Sequence, residues 1–393
     1  MFKRIIFFLV VFSIPFQLGI HFWLPQSYVS SFRIDYLSPT IYLVDIFILF
    51  YLISEIRQAV RIILLCFTSK VGLAIFGLLF LNLWKSSFNP ITTFYWGKII
   101  IYYLLFNLLR SEKQLKQRIA KPFLLSLGIV LLLAIVQIVL QRSLGGLFYY
   151  LGERPLNISI PNVAKLDFSI LGKFYQVLRP YSTFSHPNSL AGYLLVALSL
   201  LPFLTKSRAF RIITALVIIL TFSKAAILTL FLVFYIEITL SQGILIALLL
   251  SLTPLLNLGK SYSSRLHLLI PTLNIIQHNL LTGVGLRQFI PAVAKEIPGN
   301  QQSYITLQPV HNIFMLILSE LGLLSSTFFI WLLTKSKIKK SIFQILQIIV
   351  LTGSLDHYWW TLNQNQLIIP LALAILLQKN DLQPNNHKHR WWI

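Results

Sequence analysis

Four short segments of the chain each carry an arginine, a lysine or a histidine in a setting that could bind or transform an anionic substrate. They are Arg179–Asn188, Thr221–Ala226, Ser263–Phe289 and Pro309–Gly322. Arginine offers a permanently charged, planar fork to a phosphate, and histidine can exchange a proton near neutral pH. Such groups together suit a reaction in which a phosphate group leaves with its negative charge.

The first segment places Arg179 seven residues before His186-Pro187-Asn188, which lead into an apolar run. Proline suits the first turn of a helix and asparagine suits its cap, so a helix is predicted to begin here with Asn188 as the cap. The positive end of that helix would strengthen a phosphate site at Arg179. The alternative is a solvated arginine that merely precedes a helix.

The next two segments carry Lys224 and Arg265. Lys224 lies between two short apolar runs, where it could bind an anion or extend to lipid headgroups. From Arg265 to about Gln277 the apolar residues have helical spacing, which predicts an amphipathic helix at the membrane surface. Arg265 itself could also be a solvated loop charge. The Gly283/Gly285 pair permits a tight turn but is too short for a phosphate-binding loop.

The fourth segment begins with His311-Asn312 at the start of an apolar run and continues to Glu320. His311 could act in catalysis or contact a lipid headgroup. Glu320 lies nine residues further along, which on a helix is about 13 Å deeper and on about the opposite face. Glu320 is therefore predicted to be a buried structural partner of another helix and not to orient His311 directly.

The composition indicates which elements must position these groups. Of 393 residues, 56% are hydrophobic and 11% are charged, which excludes a soluble enzyme and a DNA-binding protein despite a net charge of +22. An all-α, polytopic membrane protein with about 12 transmembrane helices is predicted instead. The predicted spans are 5–24, 37–54, 71–84, 91–109, 122–140, 189–204, 209–222, 224–240, 243–257, 311–334, 341–355 and 363–378.

The basic residues between these spans predict the orientation. Lysine and arginine cluster at 57–70, 110–121, 206–211 and 335–340, which assigns those loops and both termini to the cytoplasm. The first span follows Lys3-Arg4 without a small-residue cleavage site and is predicted to be retained. Two short spans are expected to meet at Ser223-Lys224. All four candidate segments then lie on the outer side.

The predicted organisation is a single membrane-embedded helical domain over 1–378, with long outer loops at about 141–188 and 258–310. A polar cytoplasmic tail follows at 379–393, and its composition predicts disorder. The single cysteine, Cys66, excludes an intrachain disulfide. The outer segments contain scattered acids, including Asp35, Glu153 and Asp356, but no Asp-x-Asp pair or His/Glu cluster at metal spacing. No metal and no cofactor are therefore expected.

Taken in order, these four segments resemble the O-antigen ligase and Wzy-type polymerase superfamily of bacterial membrane proteins over about residues 175–325. The resemblance is carried by the following motifs: Arg179 with His186-Pro187-Asn188, Ser223-Lys224, Arg265 with Gly283-Val284-Gly285-Leu286 and Phe289, and His311-Asn312 with Glu320-Leu321-Gly322. One departure is Lys224, where the family usually has arginine, which keeps the charge but loses the bidentate fork.

The resemblance implies a GT-C type, metal-independent, inverting glycosyltransferase of the extracytoplasmic face of a prokaryotic cytoplasmic membrane. It would take a glycan from a polyprenyl-diphosphate-linked donor to an acceptor hydroxyl, as a surface polysaccharide or lipopolysaccharide O-antigen ligase or polymerase. By the same resemblance, Arg179, Arg265 and Lys224 would bind the donor diphosphate, and His311 and Arg265 would be catalytic. His186, Asn188, Asn312 and Glu320 would support them.

Two other classes of function remain open at the level of sequence. A transporter or flippase for a lipid-linked or anionic solute would also need buried charges, although such proteins usually carry repeats and ionisable residues at mid-membrane. A basic membrane scaffold without activity is the third. The expected partners are the lipid bilayer, the lipid-linked donor and a glycan or lipid-linked acceptor, with no nucleic acid.

Overall fold

The computed structural model describes residues 1–252, 260–335 and 340–378 and is mostly helical. The helices of the first half are α1 (Phe2–Ser13), α2 (Leu43–Ser54), α3 (Ile56–Thr68), α4 (Lys70–Lys85), α5 (Pro90–Ser111), α6 (Leu115–Leu140) and α7 (Pro187–Leu204). Those of the second half are α8 (Arg208–Leu220), α9 (Lys224–Phe234), α10 (Leu240–Ser251), α11 (Lys260–His278), α12 (Phe289–Glu296), α13 (Ile313–Lys335), α14 (Lys340–Gly353), α15 (Tyr358–Thr361) and α16 (Asn363–Leu377). The predicted tail at 379–393, with Lys337 and Lys339, lies outside the described residues.

Three small antiparallel ribbons join the helices. Strand β1 (Gly19–His21) pairs with β4 (Thr40–Tyr42), and β2 (Tyr28–Val29) pairs with β3 (Phe32–Arg33) between them. Strands β5 (Lys165–Ile170) and β6 (Lys173–Leu178) form a hairpin within the loop predicted at 141–188. The hairpin leads directly into Arg179, so pairing of its strands fixes the approach of that residue to α7.

Helix α7 is the central element of the bundle. Fifteen residues from Pro187 to Leu204 are buried, because α7 packs against α6, α8, α9, α14 and α16. A helix that is apolar on every face is suited to such an enclosed position. The start of α7 is thereby held in the middle of one end of the bundle, which we call the site end.

The predicted set of twelve spans is not confirmed. Within the described residues, three helices are long and apolar enough to cross a membrane, at Leu115–Leu140, Pro187–Leu204 and Ile313–Leu332. A fourth results if α3 and α4, which are bent by 89° relative to each other, count as one broken span. Hydropathy alone had merged apolar strand residues into the first two predicted spans and had assigned α3 to a loop.

Two local predictions from the sequence are confirmed. The chain breaks between α8 and α9 at 221–223, where Phe222 has a φ of 50°. A helix also covers the stretch from Arg265 to Gln277, as part of α11. Leu268 and Ile275 on α11 are buried against the protein, whereas Ile270 and Leu273 are exposed. The protein-facing stripe thus differs from the predicted apolar face, of which Ile270 and Leu273 are exposed.

The opposite end of the bundle is closed by charged contacts. Lys3 pairs with Glu55 and, at 3.3 Å, with Glu112, which also pairs with Arg118. The side chain of Gln378, just after α16, donates to the Glu112 carbonyl oxygen at 2.9 Å. Helix α1 therefore begins beside the end of α16, on the opposite side of the bundle from the start of α7.

Candidate functional site

The first turn of α7 is organised differently from the prediction. The cap is His186, whose Nδ1 accepts a hydrogen bond from the Asn188 backbone N–H at 3.1 Å, and Pro187 occupies the first helical position. Asn188 is not the cap. Because His186 satisfies the helix end, the Asn188 side chain is free to bond elsewhere: its amide donates to Asp356 Oδ2 at 2.9 Å and its Oδ1 accepts from Arg179 at 2.8 Å.

Arg179 is partly buried beside this turn. Its Nε donates to the Thr221 carbonyl oxygen at 2.6 Å, in the break between α8 and α9. Burial lowers the pKa of Arg179, although Tyr181 and Asp356 act in the opposite direction. An arginine nevertheless keeps its charge at neutral pH. Arg179 therefore links the first and second candidate segments, while Lys224, three residues after Thr221, is exposed at the start of α9.

His311 lies beside an acid and a second histidine that approach from the connection between α14 and α16. His311 Nδ1 is 3.9 Å from Asp356 Oδ1, and the rings of His311 and His357 are 5.2 Å apart. The gap to Asp356 is too long for a direct hydrogen bond, and His311 Nδ1 is buried with no partner in the structure. A small movement of the His311 and Asp356 side chains towards each other would form a hydrogen bond between them.

The charges in this cluster are fixed by its surroundings. Burial would raise the pKa of Asp356, but the neighbouring His311 and His357 together hold it below its ordinary range. Burial lowers the pKa of His357 to about 3, against the pull of Asp356. Asp356 is therefore ionised and His357 neutral at neutral pH. The His357 ring Nδ1 lies 2.9 Å from the Thr361 hydroxyl, which fixes its orientation.

These three side chains could also hold a metal ion. His311, Asp356 and His357 each offer one ligand atom, and those atoms all lie within 4.8 Å of one another. The sequence had shown no metal spacing, because His311 is separated from Asp356-His357 by two helices. Two histidines and one carboxylate form a donor set that zinc and other divalent metals accept.

Asn312 anchors the start of α13. Its Oδ1 accepts from the backbone N–H groups of Phe314 and Met315 at 3.0 and 3.1 Å, which makes it the helix cap. Its amide donates to Ser251 Oγ at 2.9 Å and to the Ser354 carbonyl oxygen at 3.1 Å. Asn312 thus fixes His311 relative to the segment that carries Asp356, two residues after Ser354.

Glu320 has the structural role that helical geometry predicts. It is fully buried, Tyr36 donates its hydroxyl to one carboxylate oxygen, and Trp360 donates its indole N–H to the other at 2.8 Å. The Asn82 amide donates to the Glu320 backbone oxygen at 2.8 Å. Glu320 therefore joins three distant parts of the chain through its carboxylate and its backbone oxygen, and its carboxylate does not contact His311.

The glycine motifs of the two last segments fit together. Val284 and Gly285 donate their N–H groups to the carbonyl oxygens of Ser319 and Glu320, at 2.9 and 3.0 Å. Gly322 breaks α13 with a φ of 72°, which leaves these carbonyls outside the regular helix ladder. A Cβ on Gly283 would lie 2.4 Å from the Glu320 backbone, so only glycine allows the contact. The glycines therefore build a backbone clamp between these two segments.

Arg265 is the candidate residue whose backbone is described but whose side chain is not. It lies on α11, but its side chain is outside the described residues. Leu268, less than one turn further along α11, packs in the same apolar cluster as Val310, the residue before His311. The backbone therefore brings this part of α11 towards the site end.

A cavity of about 430 Å³ opens beside the cluster and contains residues that the sequence prediction had missed. Its lining includes His357, Thr361, Arg287, Tyr36, Tyr95 and Arg154. Asp356 had been noted only as a scattered acid, and the adjacent acid–histidine pair Asp356-His357 was the one signal that could have singled it out. Arg287 directly follows the glycine motif that the sequence had identified.

Comparison with known proteins finds a protein family that matches part of the chain. Residues 193–330 match the family model Wzy_C, described as O-antigen ligase. The matched region contains Lys224, Arg265, Arg287, His311, Asn312 and Glu320, whereas Arg179, His186, Asn188, Asp356 and His357 lie outside it. No curated protein and no solved structure matches the chain significantly. The family match confirms the resemblance of this chain to the O-antigen ligase and polymerase superfamily.

Proposed function

We propose that this protein is a membrane glycosyltransferase that transfers a glycan from a polyprenyl-diphosphate-linked donor to an acceptor hydroxyl. It would act as a ligase or polymerase of surface polysaccharide such as O-antigen, on the outer face of a prokaryotic cytoplasmic membrane. The family match supports the class of reaction. The linked side chains of Arg179, Asn188, Asp356 and His311 support the location of the site.

In an inverting transfer, the acceptor hydroxyl attacks the anomeric carbon while the bond from that carbon to the diphosphate oxygen breaks. Asp356 would orient His311 through Nδ1, leaving Nε2 of a neutral ring to accept the hydroxyl proton. The ionised state and burial of Asp356 support this role, as do its contacts with Asn188. The role is comparable to that of the acid in a catalytic triad.

The negative charge that develops on the leaving diphosphate needs fixed cations. Arg179 is held by Asn188 and by the Thr221 carbonyl oxygen, so its charge is already in place before the reaction. Preorganised charge in a site with little water contributes most to such catalysis. Lys224 and Arg265 are proposed as the other cations, with Lys224 supplying charge alone.

The orientation is part of the proposal and is supported by the bundle. The cluster of Lys3, Glu55, Glu112 and Arg118 lies at the end opposite to His311, close to the start of α1 and the end of α16. Both termini would then be cytoplasmic, and the cavity would open to the outside. The apolar helices would hold the isoprenoid chain of the donor in the membrane.

The test is a transfer assay with purified protein in proteoliposomes, using polyprenyl-diphosphate-linked glycan extracted from cells that accumulate it. We expect His311→Ala and Arg179→Ala each to reduce turnover about 10²- to 10³-fold. His278→Ala, which changes an exposed histidine at the end of α11, is the matched control and should retain wild-type turnover. Wild-type turnover in both site variants would refute the assignment.

Metal independence has a separate test, because His311, Asp356 and His357 form a donor set that a metal could use. We expect turnover to survive treatment with EDTA followed by desalting. Loss of turnover with EDTA and its recovery on addition of one divalent metal would contradict a mechanism based on cationic side chains alone. Movement of the donor across the membrane without a covalent change would instead favour the transporter hypothesis.

A further inference from the structure

Arg287 is a buried cation that forms no direct ion pair within the described part of the chain. Burial acts to lower its pKa, while the nearby Tyr95, Tyr36 and Glu320 act to raise it. Its side chain is 3% exposed, and among the described residues no carboxylate lies within ion-pair distance of it. Its two hydrogen bonds are with backbone carbonyl oxygens, of Tyr36 at 3.3 Å and Thr361 at 3.1 Å. A guanidinium group has five N–H donors, and a buried charge that lacks a direct ion pair is costly.

The position of this guanidinium is fixed from several sides. It lies between the rings of Tyr36 and Tyr95, at 4.3 and 4.0 Å from their centroids. Its backbone has a φ of 64°, which is unfavourable for a residue with a side chain. The backbone clamp of Gly285 on Glu320 maintains that conformation two residues away. The ring contacts and the constrained backbone therefore hold the Arg287 guanidinium in one position.

In this position, Arg287 lines the cavity beside His357. Arg287 and His357 both line it, and Thr361 links them, since its carbonyl oxygen binds Arg287 and its hydroxyl binds His357. Arg154 also lines the cavity and is exposed. Glu153 lines it as well, but its two carboxylate oxygens already accept hydrogen bonds from Gln137 and from two backbone N–H groups.

The rest of the lining suits a sugar. Tyr36, Tyr42, Tyr95 and Tyr149 line a space of about 430 Å³, which is large enough for one or two sugar rings. Asp35 is exposed at the mouth, where water screens its charge. The cavity is therefore lined by aromatic side chains and two arginines, with one screened acid and one acid that is fully hydrogen-bonded.

We propose that this cavity is an oxyanion site of the glycan substrate, in which Arg287, assisted by Arg154, binds a phosphate or carboxylate group close to His357. The proposal rests on the proposed glycosyl transfer for the identity of the substrate, but the anion site itself does not. The oxyanion has two possible sources, the diphosphate of the donor and the carboxylate of an acidic sugar. Both are bound by a guanidinium fork through paired N–H···O bonds.

Direct binding separates these sources. Isothermal titration calorimetry on the purified full chain in detergent would use inorganic pyrophosphate as one probe and glucuronate as the other. Saturable binding of pyrophosphate would assign the site to the donor diphosphate, and saturable binding of glucuronate would assign it to an acidic sugar. Both results support an oxyanion site, and the proposal fails if neither probe binds the wild-type protein.

Variants then locate the bound probe. We expect Arg287→Lys, which keeps the charge but loses the fork, to weaken binding at least tenfold. Arg154→Gln should weaken it several-fold, whereas Arg142→Gln, a matched exposed arginine in the same loop that does not line the cavity, should bind as wild type. Equal affinity in Arg287→Lys and wild type would overturn the role of Arg287. If Arg287→Lys does not fold, equal affinity in Arg154→Gln and Arg142→Gln would overturn the proposal.

The binding measurement also distinguishes this proposal from the proposed function. If the protein transfers no glycan but binds a probe through Arg287, the oxyanion site stands and the glycosyltransferase assignment fails. If transfer occurs with unchanged kcat and unchanged KM for donor and acceptor in Arg287→Lys, the assignment stands and the oxyanion site fails. The two conclusions therefore do not depend on one observation.

Discussion

Two acids at the site end of the bundle, Glu320 and Asp356, have opposite surroundings. Glu320 is fully buried, and donors from three other parts of the chain bind its carboxylate and its backbone oxygen. Asp356 accepts hydrogen bonds from the Asn188 side chain and from the His357 backbone N–H. His311 Nδ1 lies 3.9 Å from Asp356 Oδ1 and is buried without a hydrogen-bond partner. One network is saturated and the other is incomplete.

The difference separates a structural acid from a candidate catalytic one. A saturated buried network specifies one packing of the chain, because any other arrangement leaves a polar group unpaired. An incomplete network beside a cavity can still form a bond, and that bond can be made with substrate or during closure. We therefore expect substitutions at Glu320 to affect folding and substitutions at Asp356 to affect turnover.

The largest effect is expected for Asp356→Asn. The amide keeps the size of the side chain but removes the charge that orients His311, so turnover should fall about 10³-fold. The measurement is turnover in the proteoliposome transfer assay, with the thermal unfolding midpoint as the control for folding. Turnover within a few-fold of wild type would show that Asp356 does not act in catalysis.

Glu320→Ala should instead destabilise the protein by about 3 kcal/mol, because the Tyr36 hydroxyl and the Trp360 indole N–H would be left buried without an acceptor. Glu320→Gln, which keeps one acceptor oxygen, should cost less. The readout is the unfolding midpoint in detergent, together with turnover per folded molecule, which should stay close to wild type. A loss of turnover without a loss of stability would assign Glu320 to the reaction.

A smaller loss of stability is expected for Gly283→Ala. The new Cβ would lie 2.4 Å from the Glu320 backbone at a φ of 68°, and such strain costs about 1–3 kcal/mol. Gly299→Ala is the matched control, because nothing lies within 4 Å of its Cβ position and its φ is ordinary. Equal unfolding midpoints for the two variants would contradict the backbone clamp.

The smallest effect concerns pH. The pKa of His357 is about 3 in the folded protein and about 6.5 when unfolded, so between these values the unfolded chain binds the additional proton. Stability from neutral His357 is thus present above pH 6.5 and declines as the pH falls. We expect a loss of about 1–2 kcal/mol between pH 7 and pH 5. His357→Gln should reduce this pH dependence. An unchanged dependence of the unfolding free energy on pH in this variant would contradict a neutral, buried His357.

The sequence indicated several residues of the candidate site, because their signals depend on local chemistry. Arg179 and His311 were identified from residue type and from their place at the ends of apolar runs. The position of Glu320 away from His311 followed from helical geometry. The prediction that Asn188 caps α7 was wrong, because the sequence motif does not distinguish which of two nearby polar residues, His186 or Asn188, provides the cap. His186 took the cap, and Asn188 became the link between Arg179 and Asp356.

Other parts depended on contacts between segments far apart in the chain. Asp356 and His357 approach His311 only because α14 and α16 pack against α7 and so hold their connection at the site end. The Arg287 guanidinium is held between the rings of Tyr36 and Tyr95, which lie in the N-terminal half of the chain. No local pattern encodes these approaches.

By itself, the sequence determined that the protein is an apolar helical membrane protein with basic loops and a cationic, histidine-bearing set of motifs. Composition and periodicity are sufficient for this, because burial of apolar surface and the cost of buried charge act on every residue in the same way. The tertiary structure decided which acid faces His311, which asparagine orients Arg179 and which arginine enters the cavity. Those choices depend on distances of a few ångströms between segments, which only the packing of the whole bundle sets.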